Sequence, residues 1–135
     1  MKEENIILNK SFDFAIRIVK LYKYLSNDKK EFILSKVANC GCGANFPRKQ
    51  LLRCGTSIGA NINEAQAGQS KADFISKMSI ASKEARETKY WIDLLIKTDY
   101  LNIKESHVES LVIDIHEIIN IITKIVKSSK DNNEK

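Results

Sequence analysis

The sequence predicts an all-α protein: an up-and-down antiparallel four-helix bundle that assembles as a homo-oligomer. Apolar residues recur at steps of three and four through four separate segments, which is helical spacing. A single proline and few glycines leave those segments free to be helical. The first and last segments also carry apolar stripes wider than one packing contact needs. A second copy of the chain is the usual cover for such a surplus.

The first helix is expected over about Ser11 to Leu25, with Asn27-Asp28 as its break. One apolar row runs through Phe12, Ala15, Val19 and Tyr22, and a second through Phe14, Ile18, Leu21 and Leu25. The second helix is less regular. Glu31 to Val37 has helical character, and Asn39 to Pro47 is loop chemistry. Pattern resumes at Arg48 and continues through Leu51, Cys54, Ile58, Ile62 and Ala65 to about Gly68. Gly55 and Gly59 lie one turn apart within it, and each costs about 1 kcal/mol relative to alanine. Two such residues on one face predict a close helix crossing that offsets the cost through contact.

The third helix has the clearest pattern. Phe74, Met78, Ala81, Ala85, Thr88, Ile92 and Leu95 form a seam of alternating fours and threes. Ser70 followed by Asp73 marks its start and Thr98-Asp99 its end. On the fourth helix Val108, Leu111, Val112, Ile115, Ile118, Ile119, Ile122, Ile125 and Val126 share one broad face. Ile113 and Ile121 fall outside that face. Asn102 with Glu105, or Ser106 with Glu109, is expected to cap it. The many isoleucines favour strands locally, but a helical period over so many turns outweighs that preference.

A chain of 135 residues with 43% apolar content suits one domain with a single core. The expected organisation is an N-terminal extension at 1–9, the bundle at 10–127 with an inserted loop at 37–49, and a frayed tail at 128–135. No apolar stretch approaches a signal peptide or membrane span, so a cytoplasmic protein with no membrane partner is expected. Cys40, Cys42 and Cys54 are an odd set for a reducing compartment, which argues against a disulfide framework.

The run from Gln50 to Ala65, QLLRCGTSIGANINEA, resembles the signature of the four helix bundle protein family, also called the 23S ribosomal RNA intervening-sequence protein family. Ser70 to Phe74, Ile80 to Thr88 and Tyr90-Trp91 are similar to that family's third helix. Phe12 to Ala15 and Leu21 to Leu25 are similar to its first. The resemblance covers about residues 10–127. It implies a four-helix bundle that assembles as a homopentamer, with no established enzymatic activity, encoded within bacterial 23S rRNA genes or elsewhere in genomes. More distantly, the fold resembles accessory proteins of diversity-generating retroelements, in which a basic pentamer binds nucleic acid and a reverse transcriptase. One departure stands out. In the family the equivalents of Ser35-Lys36 run almost directly into those of Gln50-Leu51, whereas here Val37 to Lys49 intervene.

Arg53, Ser57, Asn61 and Glu64 make a polar row on the second helix, with Glu84 and Glu87 on the third as expected partners and Arg86 available to Glu64. A catalytic pocket is one reading. A paired network that fixes helix register is preferred, because no nucleophile–base arrangement accompanies the row. Cys40 and Cys42 lack the further close ligands that tetrahedral zinc requires, so no metal is expected. His116-Glu117 opens like a zincin helix, but Asn120 stands where the second histidine belongs. Gly41-Cys42-Gly43 lacks the lysine of a phosphate loop, and no cofactor is expected. Tyr90-Trp91 reads as core or interface rather than a base-stacking platform.

The chain carries 22 Lys and Arg against 17 Asp and Glu, a net charge of +5. Arg17, Lys20, Lys23, Lys29, Lys30, Arg48, Lys49, Lys124 and Lys127 are the candidate nucleic-acid contacts. The modest monomer charge is unremarkable alone, but a five-fold ring would carry about +25 around one axis. The sequence therefore reads as a non-enzymatic homopentameric scaffold for RNA or DNA, acting alone or with a protein partner. A protein-only interaction module with incidental charge is the alternative, and an enzyme using the polar row is a third reading.

Overall fold

The structure is a computed structural model, and it describes residues 2–27 and 46–133. These form four helices: α1 (Lys2–Asn27), α2 (Phe46–Gln66), α3 (Lys71–Lys97) and α4 (Ser106–Asn133). No strand occurs among the described residues. Each helix packs on two neighbours, in the cyclic order α1, α2, α3, α4. Ion pairs fix the relative directions. Lys10 meets Glu117 while Arg17 meets Asp114, so α1 and α4 are antiparallel. Arg53 meets Glu87 while Glu64 meets Lys77, so α2 and α3 are antiparallel too.

The two apolar rows of α1 separate cleanly. Phe14, Ile18, Leu21 and Leu25 are buried, whereas Phe12 is 66% exposed and Val19 37% exposed. The helix also begins at Lys2, well before Ser11. Ile7 explains the longer start: it is fully buried and extends the inner row by two turns through Ser11. Burying an isoleucine stabilises by about 1.5–3 kcal/mol, enough to hold an otherwise polar segment in helical register. Ser11 occupies a core position because its hydroxyl donates to the Leu8 carbonyl at 3.1 Å.

The glycines of α2 form the predicted crossing. A Cβ at Gly55 would lie 2.9 Å from both γ carbons of Ile18, and one at Gly59 would lie 3.3 Å from the Ser11 carbonyl oxygen. The missing side chains let α1 and α2 approach closely. On α3 the seam is buried from Met78 to Leu95, and Phe74 packs against its edge. Ser70 caps α3, its hydroxyl oxygen accepting from the Asp73 amide at 3.1 Å. Asp99 leaves the helix with φ of 66°, and the Tyr100 amide returns to the Leu95 carbonyl at 2.9 Å.

The broad face of α4 is buried from Val108 to Ile125, with Val112 and Val126 at its margin and Ile113 51% exposed. Its start differs from both expected caps. The Glu109 amide donates to the Glu105 carbonyl at 3.0 Å, which places Glu105 at the cap position. Asn102 instead turns the preceding loop, its side-chain oxygen accepting from the Lys104 amide at 3.0 Å. At the other end α4 continues to Asn133, so 128–133, expected to fray, are helical. Of the inserted segment, 37–45 lie outside the described residues, while 46–49, expected as loop, form the first turn of α2, where Pro47 is tolerated because no intrahelical partner is needed for its missing amide.

Candidate functional site

The polar row between α2 and α3 is paired. Arg53 donates from Nη1 to Glu84 at 3.2 Å and from Nη2 to Glu87 at 2.5 Å, while its Nε donates to Gln50 at 3.1 Å. Glu87 also accepts from the Trp91 indole at 3.4 Å. The Arg53 hydrogen bond holds the Glu87 carboxyl below its ordinary value, and the same bond pushes the guanidinium up. Ser57 and Asn61 act within α2: the Asn61 amide donates to the Ser57 carbonyl at 2.8 Å and to its hydroxyl at 3.0 Å. Glu64 takes Lys77 at 2.7 Å rather than Arg86. The row thus ties α2 to α3 at two points. The Arg53 side chain remains 50% exposed, so this is a solvated clamp and neither a dry network nor an enclosed reaction chamber.

Among the described residues the candidate nucleic-acid contacts are spread over α1, α2 and α4. Arg17 is committed to α4: it pairs with Asp114 and donates to Ser110 at 3.1 Å and to the His107 carbonyl at 2.8 Å. Arg48 lies over the Tyr22 ring at 4.7 Å, joining the start of α2 to α1. Lys20 and Lys23 are exposed on α1, Lys49 on α2, and Lys124 and Lys127 on α4. Lys29 and Lys30 lie outside the described residues, as do Cys40 and Cys42.

Among the concavities lined by the described residues, three bear on binding. The first, of about 320 Å³, lies between α1 and the start of α4 and is walled by Leu21, Tyr24, His107 and Leu111, with Arg17 and Lys20 at its rim. Tyr24 and His107 meet edge to face with centroids 6.4 Å apart. The second, about 400 Å³, is a groove between α1 and α2 lined by Leu8, Phe12, Ala15, Thr56, Gly59, Ala60 and Asn63. It exists because Gly59, Ala60 and Ala15 are small and Phe12 stands at its edge. The third, about 380 Å³, is a cleft between α3 and α4 lined by Ser82, Arg86, Thr123, Val126, Lys127, Lys130 and Asp131. Arg86 was not among the nucleic-acid contacts expected from the sequence. Arg86 lies within the family-like run of α3 and Lys130 near the end of α4, and only the pairing of the two helices brings them to one cleft.

Cys54 is fully buried, and desolvation pushes its thiol up to about 11. Its sulfur lies 3.6 Å from the Leu51 carbonyl oxygen. A thiol in that setting packs as a small apolar group. Among the described residues no group of three His, Cys, Asp or Glu side chains is placed to hold a metal ion. His116 is exposed, and Tyr90 and Trp91 meet edge to face at 5.2 Å, with Trp91 against the core. No described helix is long and apolar enough to cross a membrane.

Residues 46–124 match the family model described as 23S rRNA-intervening sequence protein. Among solved structures, the chain is similar to a protein with unknown function from the S23 ribosomal protein family of Bacteroides thetaiotaomicron. The two are 46% identical with a TM-score of 0.76, over 93% of this chain and 98% of the other. Comparison with curated proteins found no match.

Proposed function

Since the chain belongs to the 23S rRNA-intervening sequence protein family, we propose that it is a non-enzymatic scaffold that self-assembles and binds RNA electrostatically. The outward row of α1 carries this reading. Phe12, Ile16 and Val19 are 66%, 40% and 37% exposed beside an apolar groove of about 400 Å³. Large apolar side chains grouped along such a groove are a surface suited to a second copy. Assembly multiplies a charge of +5 per chain and so strengthens the attraction for a polyanion. Five subunits is the number that the family resemblance implies. The cytoplasm is the compartment such a scaffold would occupy.

Light scattering combined with a salt titration of RNA binding tests both halves. The wild type is expected to run as an oligomer and Phe12→Glu as a folded monomer with an unchanged helical spectrum. A wild type that stays monomeric at high concentration removes the assembly. A wild type that binds no RNA at low salt removes the RNA half. One feature favours a protein partner as a second reading: the cavity of about 320 Å³ beside Tyr24 and His107, whose walls suit an apolar side chain. A partner recovered equally with and without nuclease treatment would favour it.

A further inference from the structure

We propose that the cleft between α3 and α4 holds a nucleic-acid strand by its phosphates, with Arg86, Lys127 and Lys130 as the phosphate contacts. This rests on the RNA-binding reading above and assigns it a place. The starting point is how the chain disposes of its cations. Lys10, Arg17, Arg53, Lys77 and Lys89 each face a carboxylate, and their fields are locally cancelled. Arg86, Lys127 and Lys130 have no ion-pair partner among the described residues, and they line the same cleft. Glu64, the carboxylate expected to take Arg86, is occupied by Lys77. Lys83 and Lys124 are exposed one residue along from Ser82 and Thr123 and add to the same field.

The cleft is shallow and open, so an extended strand can lie across it within reach of all three cations. Arg86 offers a planar fork that fits two phosphate oxygens, and the lysines act as point charges. Lys127 and Lys130 stand about 4.5 Å apart along the axis of α4, three residues apart and so on the same face of the helix. The Thr123 hydroxyl donates to the Ile119 carbonyl at 2.7 Å, which leaves Ser82 to supply the neutral donor. Val126 gives an apolar strip for a sugar or base edge. Lysines also suit helix carboxyl ends, and Lys130 fits that role. Arg86 does not, since it sits in the middle of α3. Asp131 opposes the three cations from the rim of the cleft. It gives the proposal a test of opposite sign.

The experiment measures binding of a labelled oligouridylate to the full chain across a salt series. Four proteins are compared: wild type, a cleft variant (Arg86→Gln, Lys127→Gln, Lys130→Gln), a control of equal charge loss at exposed lysines outside the cleft (Lys71→Gln, Lys97→Gln, Lys104→Gln) and Asp131→Asn. Helical spectra establish that all four fold. Each phosphate contact contributes about 0.7 to the slope of log K against log salt for a single strand. The cleft variant is expected to lose about 2 from that slope per protomer, with the control retaining it. Asp131→Asn is expected to bind more tightly. Equal losses in the cleft variant and the control overturn the assignment and leave RNA binding as a property of net charge. A wild type that binds no oligouridylate at low salt fails the broader reading, and this one with it. Polyglutamate bound as tightly as the RNA at physiological salt, and equally dependent on the cleft, overturns it in favour of an acidic protein.

Discussion

Replacing Gly55 with alanine sets two opposed terms against each other. In an open helix the change stabilises by about 1 kcal/mol, because glycine surrenders more backbone freedom. Here the new Cβ would sit 2.9 Å from both γ carbons of Ile18, and Ile18 is fully buried. A β-branched side chain in a helix has essentially one rotamer, so Ile18 cannot swing aside and the two helices must part. Overpacking of that kind costs about 1–3 kcal/mol. The net expectation is a loss of about 1 kcal/mol. Ile18→Ala removes the two γ carbons and leaves only its Cβ, at 3.3 Å, at a cost of about 2–5 kcal/mol of its own. In that background Gly55→Ala should stabilise by up to about 1 kcal/mol, a change of sign. Urea unfolding followed by circular dichroism, at one fixed protein concentration because assembly contributes to stability, measures all four corners of the cycle. If Gly55→Ala stabilises the wild type as much as it stabilises Ile18→Ala, the contact with Ile18 does not limit the crossing of α1 and α2.

Three further outcomes follow from single residues. The unfolded Cys54 thiol ionises near 9.0 and the folded one near 11, so the folded state keeps its proton longer and stability falls as pH rises through that window. Between about pH 9 and about pH 10 the wild type should lose about 1 kcal/mol more than Cys54→Ala, and parallel pH profiles would show that burial does not hold the thiol neutral. Asp99→Gly, at a φ of 66°, should raise the urea midpoint by the equivalent of about 1 kcal/mol without changing the slope; no rise would mean that the aspartate is at ease in the left-handed region. Arg53→Gln should cost at most about 1 kcal/mol, because the side chain is 50% exposed, and the difference should shrink in molar salt.

What the sequence discloses depends on whether a residue's role is set by its own helix or by a neighbour. The α3 seam and the α4 face follow from spacing alone, and both are buried as their periods require. The glycine pair is equally legible, since two costly residues one turn apart imply contact. Spacing could not rank the two rows of α1, because both are apolar and only the position of α2 decides which faces in. It also missed the continuation of the inner row through Ser11, a polar residue that the Leu8 carbonyl makes acceptable in the core. The clamp partners of Arg53 were readable from opposed charges on adjacent helices. The partner of Glu64 was not, because Lys77 and Arg86 are equally basic and only the offset of α2 against α3 chooses between them. The cleft was hidden for the same reason: its cations come from two helices, and their meeting is set by packing.

The cyclic order of the helices bears on whether assembly and RNA binding can coexist. The apolar groove belongs to the α1–α2 edge, and the basic cleft to the α3–α4 edge. In a bundle where each helix packs on two neighbours in that order, those edges lie on opposite sides. A copy seated in the groove covers only the α1–α2 edge; in a ring each chain also offers a second surface to its other neighbour, and RNA binding by the cleft requires that this surface is not the α3–α4 edge. If the two functions are separate in this way, Phe12→Glu should abolish assembly yet keep the salt slope per protomer, while affinity falls because several clefts no longer engage one strand together. A slope that collapses along with the assembly would mean that the binding surface is built only where copies meet.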